Sequence, residues 1–142
     1  MLKGSLVGNI TLKEKVPDWR QAIRTAAQKL LEKEYIEDKY IGKMIENVEK
    51  LGPYIILSDD VAMPHSRPED GVKKTGISLL KLDEGVDFGE NSSIRLIFIL
   101  AAKDSNSHID MITELVNMLQ DDEKLNRILN SKTENEILEN LN

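Results

Sequence analysis

The side chains best suited to chemistry in this sequence are two histidines, His65 and His108, and one arginine, Arg67. A neutral imidazole nitrogen is a good nucleophile near pH 7, because the ordinary imidazole pKa of about 6.5 leaves much of the ring uncharged. Such a nitrogen can accept a phosphoryl group, a transfer that depends on positioning and on compensating the charge of the phosphoryl oxygens. A second imidazole and a nearby guanidinium could supply that compensation. These residue types therefore indicate phosphoryl chemistry or the binding of an anion.

Each of these residues also has an ordinary interpretation. A single histidine on a loop commonly has no special role, and a histidine at the start of a helix commonly faces solvent. Arg67 alone is typical of an exposed charge, and Pro64 and Pro68 alone mark a turn. The residue types by themselves leave both interpretations open, so the decision depends on where the chain places the two imidazoles.

His65 lies at the end of a short extended segment. The residues before it, 61–63, are apolar, and Pro64 biases Met63 away from helix. A polar loop bracketed by Pro64 and Pro68 surrounds the histidine. This pattern predicts that His65 is accessible, beside the end of a sheet.

His108 is predicted at the start of a helix. Residues 94–101 are the most apolar run and predict a central strand that is covered on both faces. The segment 105–107 then opens a helix to about Gln120, for which Ser107 and Asp110 form a cap pair. Since α/β proteins place ligand chemistry at strand ends and helix N-termini, the imidazoles meet if both loops lie at the same end of the sheet.

Apolar periodicity predicts the elements that support these loops. Further helices are predicted at 18–32 with Asp18 and Gln21 in capping-box spacing, at 38–51 with Gly52-Pro53 as the stop, at 122–129, and from Thr133 with Glu136 in capping-box spacing. Further strands are predicted at 54–57, 61–63 and 75–82, with turns at Asp59-Asp60 and at Asp83–Gly85. The alternation predicts an α/β, single-domain sandwich over residues 1–142, with a mixed central sheet flanked by helices.

Composition limits the classes of function. The chain has 142 residues, which favours one domain, and no cysteine, which excludes disulfides, thiolate metal sites and thiol nucleophiles. We expect neither a bound metal nor a cofactor. The net charge of −6 disfavours nucleic acid as a partner. No apolar run approaches the roughly 18 residues of a membrane span, and the N-terminus lacks a signal-peptide pattern, so we expect a cytoplasmic protein that does not insert into the membrane.

One long pattern resembles a known family. It comprises Gly52-Pro53-Tyr54, Ala62-Met63-Pro64-His65-Ser66-Arg67-Pro68-Glu69-Asp70-Gly71-Val72, Phe88-Gly89, Ala101-Ala102 and Ser107-His108. These residues resemble the enzyme IIA components (EIIA) of the phosphotransferase system (PTS), of the mannitol/fructose fold type, and more closely the ascorbate-specific branch. The resemblance covers nearly the whole chain.

The resemblance implies a fold, an activity and partners. The fold would be a PTS EIIA type-2 domain, a mixed sheet flanked by helices. The activity would be that of a phosphotransferase in sugar transport, with a phosphohistidine at His65 and a second active-site histidine at His108. The donor would be the phosphorylated phosphocarrier protein HPr. The acceptor would be a cognate IIB component, which in the ascorbate and mannitol branches accepts on a cysteine and acts with a membrane component, IIC.

Two positions depart from the family pattern. Mannitol- and fructose-type members carry an arginine where this sequence has Val48. We therefore expect Arg67 to compensate the phosphoryl charge instead. Many relatives have glycine or alanine where this sequence has Ser66, whose hydroxyl either fits the turn or bonds the phosphoryl group; we favour the turn.

Two alternative functions stay open. A regulatory IIA-like protein would use the same phosphorylated His65 to signal through protein contacts. An anion-binding module would hold a small anion between the loops of His65 and His108 without any chemistry. Labelling by phosphorylated HPr separates a phosphocarrier from the binding module.

Overall fold

The helices and strands are taken from a computed structural model, which describes residues 2–104, 106 and 108–141. The helices are α1 (Leu2–Leu6), α2 (Trp19–Glu32), α3 (Asp38–Leu51), α4 (Ile109–Leu119), α5 (Asp122–Leu129) and α6 (Glu134–Asn140). The strands are β1 (Ile10–Lys13), β2 (Ile56–Ser58), β3 (Val61–Ala62), β4 (Gly76–Val86) and β5 (Ile94–Ala101), and a 3-10 turn covers Pro68–Asp70. None of the helices within the described ranges combines the length and the apolarity needed to cross a bilayer.

The five strands form one mixed sheet in the order β1-β4-β5-β3-β2. β1 is parallel to β4 and β3 is parallel to β5, whereas the pairs β4–β5 and β2–β3 are antiparallel. β5 is therefore the central strand, and both the mixed sheet and the position of residues 94–101 are confirmed.

Helices cover both faces of the sheet. The side chains of β5 alternate between two apolar clusters, with Ile97 and Ile99 facing α2 and α3 and with Leu96 and Phe98 facing α1, α4, α5 and α6. This alternation is the two-residue period of a strand, and the strand is apolar throughout because each face meets a helical layer.

The chain caps several helices as predicted. The Asp18 carboxylate accepts the backbone N–H of Gln21 at 2.9 Å, and the Thr133 hydroxyl accepts that of Glu136 at 3.1 Å. Gly52 ends α3 with a φ of 80°, a left-handed conformation that glycine adopts without strain. The predicted Ser107–Asp110 cap lies outside the described residues, and α4 begins at Ile109 rather than at 105–107.

Two predictions about strands were wrong. Residues 83–85 do not form a turn, because Asp83 and Glu84 donate their N–H groups to the Glu14 carbonyl and β4 continues to Val86. Gly85 instead lets the chain at Ser93 pack closely against it, since a Cβ on Gly85 would stand 2.0 Å from the Ser93 hydroxyl. The strand predicted at 54–57 starts two residues later, at Ile56, because residues 52–56 form turns.

Candidate active site

The two histidine-bearing segments leave the sheet at the same end. β3 and β5 are parallel, so their C-terminal ends lie side by side. The segment after β3 stays attached to β5, because the Leu100 N–H donates to the Pro64 carbonyl at 3.3 Å. His65 follows directly, and the segment that leads to His108 begins where β5 ends. The parallel pairing thus places two histidines that are distant in sequence at one edge of the sheet.

The His65 ring is held by two neighbours. Its Nδ1 lies 2.8 Å from the Met63 carbonyl oxygen, and the Tyr54 ring meets it edge-on with centroids 5.9 Å apart. A carbonyl oxygen only accepts hydrogen bonds, so Nδ1 carries the proton. In the neutral imidazole the lone pair therefore lies on Nε2, which makes Nε2 the nucleophilic atom.

His65 and His108 line one cavity of about 210 Å³. The described residues that line it are His65, Ser66, Pro68, Leu100, Ala102, Asp104 and His108. His108 occupies the N-cap position of α4, and its Nδ1 is buried without a hydrogen-bond partner among the described residues. Buried polar atoms in proteins normally have a hydrogen-bond partner, so this nitrogen marks His108 as a candidate site residue.

Arg67 lies outside the lining of this cavity. Its side chain is 74% exposed, and its guanidinium Nη2 lies 3.6 Å from Asp70 Oδ1. Val48, where mannitol- and fructose-type relatives carry arginine, is 5% exposed and packs in the cluster between α3 and the sheet. No lysine or arginine is present among the described lining residues. A role for Arg67 would require its exposed side chain to turn towards the phosphoryl group.

The Ser66 hydroxyl is engaged inside the turn that follows His65. It donates to Asp70 Oδ2 and accepts from Asn47 Nδ2 at 3.0 Å. The Arg67 backbone N–H donates to the same carboxylate oxygen at 3.2 Å. Because the Ser66 hydroxyl donates to the ionised carboxylate, the pKa of Asp70 lies below its ordinary value of 3.8. These bonds agree with the interpretation that Ser66 fits the turn.

The hydroxyl of Tyr40 lies beneath the same loop. Tyr40 is fully buried on α3, and its oxygen accepts the Ser66 backbone N–H at 2.9 Å. The Tyr40 hydroxyl also lies 2.7 Å from the Leu100 carbonyl oxygen. Burial raises the pKa of Tyr40 to about 12. Gly71, with a φ of 132°, lets the loop approach α3, because a Cβ there would stand 3.2 Å from Tyr40 atoms.

The sequence patterns predicted no functional role for Tyr40 or Asn47. Both lie on α3, two turns apart and therefore on one face of the helix. Their spacing was a usable signal, since a buried tyrosine hydroxyl needs a polar partner. The identity of that partner depends on how α3 packs against the His65 loop, which sequence periodicity does not report.

Comparisons with known proteins place this geometry in context. The family model described as "Phosphoenolpyruvate-dependent sugar phosphotransferase system, EIIA 2" matches residues 7–142. The ascorbate-specific PTS system EIIA component of Escherichia coli K12 is 34% identical over 143 residues, which cover 97% of this chain and 93% of that protein.

Solved structures show the same fold. The solution structure of a mannitol-specific cryptic phosphotransferase enzyme IIA from Escherichia coli matches with a TM-score of 0.90 at 36% identity, covering 99% of this chain and 98% of that chain. A mannitol enzyme IIA from Escherichia coli, solved in complex with phosphorylated enzyme IIB, matches with a TM-score of 0.80 at 36% identity, covering 94% and 93%. The α/β sandwich with a mixed sheet is therefore confirmed.

Proposed function

We propose that His65 carries a phosphoryl group, starting from the fact that this chain belongs to the EIIA 2 family of the phosphoenolpyruvate-dependent sugar phosphotransferase system. The observation that carries the proposal is the fixed ring of His65. Its Nδ1 is bound to the Met63 carbonyl, so Nε2 holds the lone pair. The ring lines one cavity together with His108, whose Nδ1 has no hydrogen-bond partner among the described residues. This arrangement suits a phosphotransferase with a phosphohistidine intermediate.

The proposed step moves a phosphoryl group between two partners. Nε2 of His65 attacks the phosphorus of phosphorylated HPr, a new P–N bond forms, and the P–N bond to the HPr histidine breaks. In the second step an acceptor on a IIB component, a cysteine thiolate in the ascorbate and mannitol branches, attacks the same phosphorus, and the P–Nε2 bond breaks. The Met63 carbonyl stabilises the ring while it is phosphorylated, because its oxygen accepts the hydrogen bond from Nδ1–H throughout.

Charge compensation would come from three sources around the cavity. A protonated nitrogen of His108 donates to a phosphoryl oxygen, and the N-terminus of α4, which His108 caps, contributes partial positive charge. Arg67 reaches in from the solvent side when its guanidinium leaves Asp70. A positively charged guanidinium and a helix terminus both act on the transition state through electrostatics rather than through covalent chemistry.

The proposed partners are HPr as donor and a IIB component, with its membrane IIC, as the onward route to sugar uptake. The IIB partner is supported by the mannitol enzyme IIA that was solved together with phosphorylated enzyme IIB. This chain is 34% identical to an ascorbate-specific component and 36% identical to a mannitol-specific one, so the two similarities do not select a sugar. The IIB component that accepts the phosphoryl group would identify the sugar. An ascorbate-type IIB is the first acceptor to test, given the pattern around His65.

The test is reconstitution with purified enzyme I, HPr and phosphoenolpyruvate. We expect one acid-labile phosphoryl group per chain by intact-mass measurement, and none on His65→Ala. His108→Ala serves as the matched control, because it removes the other imidazole while leaving the acceptor nitrogen in place. Stoichiometric labelling of His65→Ala would overturn the proposal.

Further arms of the same experiment separate the alternatives. Absence of labelling on the wild-type chain would favour the anion-binding module. Labelling followed by rapid loss of the phosphoryl group to a IIB component supports a role in transport. Labelling that no ascorbate-type or mannitol-type IIB component removes would favour the regulatory IIA-like protein.

A further inference from the structure

We infer that the buried hydroxyl of Tyr40 is a positioning group that sets the geometry between the two histidine-bearing segments. The inference rests on the proposed function, since it assigns Tyr40 a part in the same transfer. Tyr40 touches neither imidazole in the hydrogen-bond pattern. It acts through the backbone of Ser66, which directly follows His65, and of Leu100, from which the chain continues towards His108.

The hydrogen-bond geometry defines what the hydroxyl does. Tyr40 Oη accepts the Ser66 N–H at 2.9 Å and donates to the Leu100 carbonyl at 2.7 Å. The Ser66 carbonyl also lies 3.3 Å away, but a hydroxyl has one proton and the Leu100 contact is the shorter. One hydroxyl thus links a backbone donor on the His65 loop to a backbone acceptor on β5.

The hydroxyl is held rigidly and keeps its proton. Tyr40 has no exposed surface, and its pKa of about 12 leaves the phenol protonated at any pH at which the relay works. The adjacent turn is fixed to the same helix, because the Glu37 N–H donates to the Gly71 carbonyl at 2.9 Å. α3 therefore fixes the position of the Tyr40 hydroxyl, which bonds to both segments.

The link matters for chemistry because it joins the two segments beyond the point where the β3–β5 pairing ends, at Ala62 and Ile97. The Leu100 N–H also donates to the Pro64 carbonyl, at 3.3 Å. Without the Tyr40 hydroxyl, the Ser66 N–H and the Leu100 carbonyl would each lose a buried partner. The loop would then shift to find water, and Nε2 of His65 would change its position relative to His108. A displacement of about 1 Å can slow a transfer about 100-fold.

The experiment compares Tyr40→Phe with Tyr35→Phe. Tyr40→Phe removes one oxygen and keeps the ring that fills the core. Tyr35→Phe removes the same oxygen from a ring outside the cavity lining, which packs beside the Lys74 ammonium at 5.7 Å. Single-turnover transfer from phosphorylated HPr is measured across HPr concentrations. We expect the maximal rate of Tyr40→Phe to fall about 10- to 100-fold while half-saturation stays unchanged, and Tyr35→Phe to match the wild type.

Nitrogen-15 spectra of the two imidazoles provide a readout that does not depend on activity. We expect Tyr40→Phe to shift the side-chain signals of His65 and His108, and Tyr35→Phe to leave them in place. A purely structural role for Tyr40 would lower the urea midpoint without moving either the maximal rate or the imidazole signals of the folded protein, and that result overturns the inference.

A second measurement needs no variant and covers the case in which Tyr40→Phe does not fold. In the wild type, the Tyr40 hydroxyl proton should exchange slowly enough to be observed, with a nuclear Overhauser contact to the Ser66 amide proton. A hydroxyl in rapid exchange would overturn the inference. If the wild type is not phosphorylated at all, the proposed function fails, and the spectra still decide whether Tyr40 orders the two histidine segments.

Discussion

Replacing Ser66 with alanine separates the two roles that its hydroxyl could have. The hydroxyl donates to Asp70 Oδ2 and accepts from Asn47 Nδ2 at 3.0 Å, so it has partners within the protein on both sides. If it serves the turn, Ser66→Ala should lower stability and leave phosphoryl transfer nearly unchanged. If it binds the phosphoryl group, the variant should lose transfer rate instead.

The expected loss of stability follows from the two bonds. A hydrogen bond to a charged group contributes about 1.5–3 kcal/mol, and one between neutral groups contributes about 1 kcal/mol. The Asp70 side chain is only 10% exposed and keeps the Arg67 backbone N–H as a donor, which offsets part of the loss. We therefore expect Ser66→Ala to lower the free energy of unfolding by about 2–3 kcal/mol near pH 7, with transfer within about twofold of wild type.

The pH dependence of this loss has a definite sign. The pKa of folded Asp70 is lowered from 3.8, so as the pH falls the unfolded chain takes up the proton first. The carboxylate therefore contributes stability that is fully present above about pH 4 and is lost as the pH falls through the lowered folded pKa. Ser66→Ala removes the largest cause of the lowering. The difference in stability between wild type and variant should therefore shrink on acidification below that point.

Urea unfolding at pH 7 and in the acid range measures both quantities, and Ser131→Ala is the matched control. The Ser131 hydroxyl also accepts from an asparagine, Asn140 at 3.0 Å, but it donates to the Arg127 carbonyl at 2.8 Å rather than to a carboxylate. Ser131→Ala should lose about 1–2 kcal/mol with no dependence on pH in the acid window. A Ser66→Ala variant with unchanged stability and transfer slowed more than about tenfold would refute the reasoning.

Three further predictions concern the cavity and its surroundings. His108→Ala should slow transfer from phosphorylated HPr about 100-fold with an unchanged urea midpoint, and an unchanged rate by quench-flow would contradict the role of His108. Arg67→Ala should slow transfer about tenfold, and Arg67→Lys should restore only part of the lost rate, because an ammonium lacks the planar guanidinium fork. Full activity of Arg67→Ala would show that His108 and the α4 N-terminus suffice. Chemical-shift mapping with HPr and then with IIB should give overlapping footprints around His65 and Met63, because the same nitrogen must meet both partners. Separate footprints would argue against a shared surface.

The sequence predicted those elements that are marked by patterns within a few neighbouring residues. The apolar run 94–101 identified the central strand because both faces of β5 are covered, and the Asp18 and Thr133 caps lay where their spacing placed them. The N-terminal α1 and β1 gave no usable signal, since each is only four or five residues long and periodicity needs a longer window. The predicted turn at 83–85 was wrong because its polar side chains face solvent while the backbone still pairs with Glu14.

The site likewise combines features marked by neighbouring residues with contacts between residues that are far apart in the sequence. The sequence placed His65 after an extended segment and His108 at a helix start, and it left open whether the two loops share one end of the sheet. The parallel pairing of β3 and β5 brings both histidines to one cavity. The support of the His65 loop did not follow, because Tyr40 contacts Ser66 and Leu100 across gaps of 26 and 60 residues in the sequence. Such contacts depend on how α3 packs on the sheet, and a single sequence carries no direct signal for that packing.

The described lining of the cavity leaves part of the charge of a bound phosphoryl group to be compensated from outside the cavity. Among its described lining residues there is no lysine or arginine, and there is one carboxylate, on Asp104, which accepts the Asn106 N–H at 2.9 Å. Arg67 lies outside this lining, with Nη2 3.6 Å from Asp70 Oδ1, and its side chain is 74% exposed. In the proposed transfer, Arg67 can therefore compensate the phosphoryl charge only when its guanidinium turns from Asp70 towards the cavity, and the rate of Arg67→Ala measures that contribution.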